Sequence, residues 1–208
     1  MNTDSTSRFT VCPADKTQVD DLANLVVMAG DGLPLLTWDA MREADETAMD
    51  VGRRRAARTE GAFSYRNADV VKRDDKVLSA IVSYPLLDAT LPESLDEIPP
   101  VFRPLVELES KAVPSWYINV LASYPDVRRQ GAASALLTEV ETRARGEGFS
   151  RLSLITADVN PARSLYEKHG FSEVDRAAMV KDGLDFAGQE WVLMTKTLAK
   201  SKPTVREN

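Results

Sequence analysis

The chain is short of the two residue types that most often build metal and disulfide sites. Among its 208 residues there is one cysteine, Cys12, and one histidine, His169. A single cysteine excludes an intrachain disulfide, and we expect Cys12 to be a small buried apolar side chain. Zinc sites usually combine three or four cysteine and histidine side chains, and this chain has only two such residues in total. We therefore expect no metal in the protein.

The sequence also lacks long apolar runs and an excess of basic charge. No run approaches the ~18 residues that a membrane-spanning helix needs, and the opening MNTDSTS has no apolar stretch of the signal-peptide kind. The formal net charge is −6, whereas binding to nucleic-acid phosphates needs an excess of Lys and Arg. We therefore predict a cytoplasmic protein that binds neither membranes nor nucleic acids.

What the chain does contain fits one globular domain. Hydrophobic residues make up 43% and charged residues 28%, and a chain of 208 residues can bury a core without disulfides. There is no internal repeat, no low-complexity linker and no evident domain boundary. We predict a single domain spanning residues 1–208, ordered from about residue 8 to residue 198, with short polar tails.

Hydrophobic spacing and turn residues predict the elements of the first half. RFTVCPA predicts a strand that stops at Pro13, TQVDDLANLVVMA a helix, and ADVVKRDDKVLSAIVSYP two strands around an Asp-Asp turn. A second helix is expected from Trp38 to Ala57. Its basic run RRRAAR could hold a phosphate, although a solvated helix face is the commoner meaning of such a run. Five prolines between residues 85 and 104 predict an irregular connection, with a helix from Phe102 to Lys111.

The elements after residue 115 are more sharply patterned. SWYINVLAS, SRLSLITAD, FSEVDRAAMV and QEWVLMTKTL predict strands. NPARSLYEKHG predicts a short helix with Asn160 as its cap and Pro161 at its first position. GAASALLTEVETRARGEG predicts an amphipathic helix, and its apolar face is formed by Leu136, Leu137, Val140 and Ala144. The order of elements predicts an α/β (α+β) domain built on one sheet.

The stretch SYPDVRRQGAAS, residues 123–134, places a turn and two arginines directly before a helix. The first N–H groups of a helix have no partner within it, and the helix dipole favours an anion there. Gly131 leaves room for an anion to approach the backbone, and Arg128 and Arg129 can add charge-assisted hydrogen bonds. The chain has neither G-x-x-x-x-G-K-[ST] nor G-x-G-x-x-G, so a P-loop and a dinucleotide site are disfavoured. The stretch predicts a phosphate or pyrophosphate site of another kind.

Two motifs together carry a resemblance to a known family. LASYPDVRRQGAASALL resembles the strand, [RQ]-x-x-G-x-[GA] and helix of the GNAT superfamily of acyl-CoA-dependent N-acetyltransferases, with Arg128, Gly131 and Ala133 at the defining positions. NPARSLYEKHGF resembles the family's later element, an Asn followed by a helix with L-Y-E-x-x-G-F. One helix and one strand lie between the two motifs, as in the family. The resemblance covers about residues 115–172.

The resemblance implies a fold, a cofactor and a set of binding residues. The fold is a single mixed, mostly antiparallel sheet flanked by helices, and the acyl donor is acetyl-CoA without a metal. In the family, backbone N–H groups hold the pyrophosphate, the preceding strand pairs with the pantetheine arm, and an asparagine contacts the arm. These roles are carried onto Arg128, Arg129, Gln130, Gly131, Ala132, Ala133 and Ser134, onto Leu121, Ala122 and Ser123, and onto Asn160. Asn160 could instead act only as a helix cap.

Tyr166 matches the family's tyrosine near the acetyl-CoA sulfur. The reaction expels a thiolate, and a phenol that donates a hydrogen bond or a proton to it lowers the barrier. Reference pKa values of about 10 for tyrosine and about 8.5 for a thiol make full proton transfer slightly uphill, so we favour hydrogen-bond stabilisation. As a core aromatic on an amphipathic helix, Tyr166 could also be purely structural.

The acceptor is the least determined part of the prediction. We expect direct attack by a primary amine of a small molecule or protein in a ternary complex. Candidates for the base or the acceptor pocket are Glu107, Glu109, Asp158, Trp116, Tyr117 and Asn119. Rival functions are an acyl-CoA sensor without catalysis, which would not need Tyr166, and transfer of a longer acyl chain. The last strands could also pair between two copies of the chain in a homodimer.

Overall fold

The computed structural model describes residues 9–88, 98–185 and 187–199. Within these ranges the chain forms seven strands and six α-helices. The strands are β1 (Thr10–Pro13), β2 (Ala68–Arg73), β3 (Lys76–Leu86), β4 (Ser115–Ser123), β5 (Arg151–Ala157), β6 (Ser172–Ala178) and β7 (Glu190–Thr197). The helices are α1 (Val19–Ala29), α2 (Leu33–Asp39), α3 (Ala48–Ala56), α4 (Arg103–Ala112), α5 (Ala132–Gly146) and α6 (Arg163–Lys168).

The strands form one open, mixed sheet in the order β1-β2-β3-β4-β5-β7-β6, flanked by helices. The β1–β2, β2–β3, β5–β7 and β6–β7 pairs are antiparallel. The fold class predicted from the sequence is therefore confirmed. Two compact units share the chain: one contains residues up to Tyr84 together with Ile118–Glu139, and the other contains Pro85–Tyr117 and the residues from Val140 onward.

The first unit packs α1–α3 around a buried apolar cluster. Leu22 and Leu25 of α1 have no exposed surface, and Trp38 stacks on Phe63 with ring centroids 5.7 Å apart. Gly52 of α3 lies against the Trp38 indole so closely that a Cβ at this position would overlap the ring. Buried residues of β2 and β3 belong to the same cluster. These two strands are antiparallel and are connected by the predicted Asp-Asp turn.

The prediction of one long helix from Trp38 to Ala57 is wrong. The α2 helix ends at Asp39, and α3 begins only at Ala48. Thr47 and Asp50 form a reciprocal capping box, in which each side chain accepts the other residue's backbone N–H. That capping box starts a new helix because it satisfies N–H groups that a continuous helix would use internally.

The basic run in α3 is ion-paired as well as solvent-exposed. Arg53 pairs with Asp20 and Asp50, the latter at 2.9 Å, and Arg54 pairs with Glu46 at 2.9 Å. The run was predicted to form a solvated helix face. Its first two arginines, Arg53 and Arg54, also form ion pairs with neighbouring acidic residues. Arg55 does not share this network of ion pairs.

The second unit is built on β5, β7 and β6, with α4 packed on these three strands. Leu154 lies opposite Met194 in the β5–β7 register, and both are buried. The Ser115 and Ser153 hydroxyls lie 2.5 Å apart in the interior. Lys196 forms an ion pair with Glu141 on α5, and these two side chains are only 16% and 19% exposed.

Most other predicted elements are confirmed, with three adjustments. The helix predicted from Pro161 begins at Arg163. The predicted irregular connection from residue 85 to 104 starts later, because β3 continues to Leu86, and its residues 89–97 lie outside the described residues. Cys12 is half-buried and not fully buried as expected. The polar tails also lie largely outside the described residues. No helix within the described ranges is long and apolar enough to cross a membrane.

Candidate active site

The loop between β4 and α5 has a defined backbone path. After Tyr124, a single 3-10 turn formed by Pro125–Val127 leads to Arg128, which is extended. Arg129 then has φ of 64° and Gly131 φ of 91°. A left-handed backbone is unfavourable for a residue with a Cβ, and such residues are found more often at functional sites. Arg129 therefore makes this loop a candidate site, in agreement with the prediction from the sequence.

The loop ends by exposing the N-terminus of a 15-residue helix. The Gly131 carbonyl accepts the first helical bond from the Ala135 N–H at 3.0 Å. The N–H groups of Ala132, Ala133 and Ser134 precede that bond and have no acceptor within the helix. Among the described residues, a Cβ added to Gly131 would meet only the Phe9 ring within 4 Å, at 3.9 Å. The left-handed backbone of Gly131, and not crowding, therefore favours glycine at this position. N–H groups at a helix start are the donors that bound anions commonly use.

The side chains of the loop have different tasks. Arg128 donates from Nε to the Ser123 carbonyl at 3.3 Å, so this arginine braces the loop against the strand end. Gln130 donates to the Asp126 carbonyl at 3.3 Å and accepts a bond from Arg73 at 2.9 Å. Arg129 is exposed. Arg73 was missed in the sequence because it lies 57 residues before its partner, where no local pattern connects the two.

The end of β4 is fixed by hydroxyl groups. Ser79 donates to the Ala122 carbonyl at 2.6 Å, and its oxygen lies 2.9 Å from the Ser123 hydroxyl. Tyr124 donates to Asp21 of α1 at 2.6 Å, and burial together with the Asp21 charge raises the pKa of this tyrosine. Leu121, Ala122 and Ser123, which were predicted to face the pantetheine arm, are all half-buried.

Tyr166, the predicted catalytic residue, lies in the second unit on α6. Its side chain is 6% exposed and meets Phe171 edge-on, with ring centroids 6.0 Å apart. Burial alone raises the pKa of Tyr166 to about 12. The phenol is therefore protonated at neutral pH and is available as a hydrogen-bond donor.

Asn160 and Asp158 organise the segment before α6. The Asn160 side-chain oxygen accepts the Ala162 N–H at 2.9 Å, which is a cap-like bond one turn ahead of the helix and explains the later helix start. Asp158 accepts the Gln189 N–H at 3.1 Å. It lies against Gly188, where an added Cβ would stand 2.5 Å from the carboxylate. Each of these hydrogen bonds stabilises the local backbone. Each involves one oxygen of its side chain, Oδ1 of Asn160 and Oδ1 of Asp158.

Among the candidate acids, Glu109 of α4 stands apart. Burial raises the pKa of its carboxyl group, and a hydrogen bond with Tyr117, itself 4% exposed, partly opposes that effect. Glu107 is exposed to solvent. The structure therefore brings together two of the predicted residues: Glu109, which is half-buried, and the buried Tyr117.

The other two acceptor candidates have different surroundings. Trp116 is 6% exposed and packs edge-on against Phe149 at 5.5 Å, which makes it a core residue. Asn119 is exposed and donates to the Tyr84 hydroxyl at 3.1 Å. In the part of the chain that the structure describes, no group of three or more His, Cys, Asp or Glu residues could hold a metal ion.

The chain is similar to known acetyltransferases in its sequence pattern and in its fold. The profile described as "Acetyltransferase (GNAT) family" matches residues 36–171, well over half of the chain. A crystal structure titled only as an acetyltransferase has a TM-score of 0.63 at 20% identity, covering 91% of this chain and all of its own. An N-acetyltransferase from Staphylococcus aureus Mu50 has a TM-score of 0.59 at 21% identity, covering 89% and 99%.

A third similar structure is N-acetylglutamate synthase from Neisseria gonorrhoeae, complexed with coenzyme A and N-acetyl-glutamate. Its TM-score is 0.54 at 14% identity, and the match covers 94% of this chain and 36% of that one. At these identities the structures establish the fold and no more. No curated protein sequence matched the chain.

Proposed function

Because the chain belongs to the GNAT acetyltransferase family, we propose that it transfers an acetyl group from acetyl-CoA to a primary amine of a small molecule or protein. The whole chain serves as one N-acetyltransferase domain. The observation that carries the proposal is the start of α5 behind Gly131: the first helical bond is made by the Ala135 N–H, and the N–H groups that precede it are donors of the kind that bind a pyrophosphate.

The loop residues fit that group in charge and in space. The three N–H groups of Ala132, Ala133 and Ser134 and the positive end of the α5 dipole favour an anion, and the exposed Arg129 can add a charge-assisted bond. Arg128 and Gln130 act indirectly, because their side chains hold the loop in its observed path. As the family resemblance implies, Leu121 to Ser123 and Asn160 are proposed to contact the pantetheine arm of the cofactor.

When bound, acetyl-CoA supplies the acetyl group as a thioester, whose C–S bond breaks as the amine nitrogen forms the new amide bond. Tyr166 donates a hydrogen bond to the departing sulfur. Full transfer of its proton, from a pKa of about 12 to a thiolate of pKa about 8.5, is uphill by about 5 kcal/mol. Tyr166 therefore stabilises the negative charge and keeps its proton.

Glu109 is the group best suited to take the proton from the amine. A lysine-like amine with pKa about 10.4 costs about 4–5 kcal/mol to deprotonate at pH 7, so a base that accepts its proton lowers the barrier. Burial raises the pKa of Glu109 towards the range in which a carboxylate works as a base near neutral pH. The Tyr117 hydroxyl, bonded to Glu109, orients the carboxylate.

The proposal is tested by thiol release from acetyl-CoA against polyamines, aminoglycosides and lysine peptides. Wild type is compared with Tyr166→Phe, and Tyr65→Phe is the matched control because Tyr65 has no proposed role. Amine-dependent release that falls in Tyr166→Phe alone supports the enzyme and identifies the acceptor class. CoA binding without turnover on any amine would support the sensor instead, and absence of CoA binding would refute the whole proposal.

A further inference from the structure

Arg55 differs from the two arginines that precede it on α3. Arg53 and Arg54 each pair with carboxylates, whereas the Arg55 Nε is buried with no hydrogen-bond partner in the described residues. Its Nη1 reaches only the sulfur of Met41, at 3.4 Å, and a thioether is a weak acceptor. The guanidinium of Arg55 thus has unused donors at a partly buried position.

The charges around Arg55 make this arrangement costly. Burial, followed by the like charges of Arg58 and Arg54, lowers the pKa of Arg55, so no nearby carboxylate offsets its charge. Acidic residues are plentiful in the chain, 32 against 26 Lys and Arg. Glu46, the nearest along this network, is committed to Arg54. A partly desolvated cation without a counter-charge is unfavourable unless an anion supplies one.

Arg58 offers a second guanidinium in a fixed position. It donates from Nε to the Arg55 carbonyl and from Nη2 to the Phe63 carbonyl, both at 3.3 Å. Those two carbonyl bonds fix the side chain without neutralising its charge, and that charge lies close enough to Arg55 to lower the pKa of its guanidinium. Two neighbouring guanidinium groups, both lacking a carboxylate here, match the paired oxygens of a carboxylate or phosphate.

We propose that Arg55 and Arg58 form a binding site for an oxyanion, a carboxylate or phosphate group of a ligand. The forked donors of Arg55 bind the oxygen pair, and the second positive charge of Arg58 adds to the attraction. The exposed Met41, 43% accessible, provides an apolar surface beside the anion. This site is independent of the proposed acetyl transfer and stands on the arginine geometry alone.

The experiment follows the Nε–H resonance of Arg55 in the full-length protein by ¹H–¹⁵N NMR. Sodium phosphate and sodium acetate are titrated separately, and sodium chloride at equal ionic strength corrects for screening. The resonance is assigned by its loss in Arg55→Gln. We expect a saturable shift with phosphate or acetate and none with chloride, and the anion that saturates at the lower concentration identifies the preferred class.

Thermal denaturation supplies the matched comparison. Phosphate is expected to raise the Tm of wild type and of Arg54→Gln equally, because Arg54 is already ion-paired, and to raise that of Arg55→Gln less. Arg55→Lys, which keeps the charge and loses the fork, is expected to bind at least about tenfold more weakly than wild type. An unmoved Arg55 resonance, or an equal loss in Arg54→Gln, would overturn the site in favour of diffuse surface charge.

Discussion

Replacing Tyr166 with phenylalanine separates the chemical role of the hydroxyl from the packing role of the ring. A hydrogen bond to a charged group contributes about 1.5–3 kcal/mol. If the bond to the departing sulfur forms only as the C–S bond breaks, its loss lowers kcat about ten- to hundredfold, and the KM for acetyl-CoA stays nearly constant.

The same substitution leaves the protein folded. Burial is the cause of the raised pKa of Tyr166, and among the described residues no hydrogen bond of its hydroxyl is seen, so none of them loses a partner when the hydroxyl is removed. The edge-on contact with Phe171 is kept by the phenylalanine ring. We therefore expect the free energy of unfolding to change by less than about 1 kcal/mol.

The assay is thiol release at saturating acetyl-CoA, together with thermal denaturation, for wild type, Tyr166→Phe and Tyr65→Phe. Because a pKa of about 12 keeps the phenol protonated, the wild-type kcat profile should show no limb from Tyr166 below pH 10. A loss of kcat smaller than about threefold, or a loss matched by a fall in Tm, would contradict the reasoning.

Three further substitutions test the loop, the base and the packing. Gly131→Ala places a Cβ on a residue with φ of 91°, and the backbone strain costs about 1–2 kcal/mol. We expect this strain to weaken CoA binding about five- to thirtyfold, as measured by calorimetry. The control Gly146→Ala, in which the added Cβ meets no neighbour among the described residues, should bind CoA as tightly as wild type. Glu109→Gln should remove the acidic limb of the kcat/KM profile. Because the pKa of Glu109 is raised in the folded state, its carboxylate destabilises the fold at pH values above the unfolded pKa. Glu109→Gln should therefore unfold at a higher temperature than wild type at pH 7. Below about pH 4 the difference in Tm should disappear, because Glu109 is then protonated in both states. Gly52→Ala should destabilise the protein by about 1–3 kcal/mol in urea unfolding, because its Cβ overlaps Trp38; unchanged stability would mean that the helix shifts freely.

Local patterns predicted those parts of the molecule that local physics determines. The buried face of α5 was correctly predicted because Leu136, Leu137, Val140 and Ala144 repeat at helical spacing, and all four are at most 1% exposed. The turn before α5 was also predictable, because the turn and the helix start are encoded within ten residues. The break between α2 and α3 was missed because Thr47 and Asp50 compete with an otherwise continuous helical composition.

The remaining parts of the candidate site depend on contacts between distant residues. Glu109 could be named as an acid from the sequence, but its distinction from Glu107 comes from burial and from Tyr117 on another element. Arg73 carries no motif, and its link to Gln130 exists only because β2 ends near the loop. No spacing rule predicts which of several similar charges the fold will bury.

The hydrogen bond between Asp21 and Tyr124 has a consequence for biosynthesis. It joins residues 103 positions apart, and the earlier partner lies on the first helix of the chain. During translation α1 emerges long before Tyr124, so the loop that follows β4 cannot reach its final anchorage until Tyr124 has been made. Closure of such a distant contact is slow relative to helix formation. The final anchorage of this loop in a truncated or nascent chain is therefore acquired late, and it reports on docking of α1.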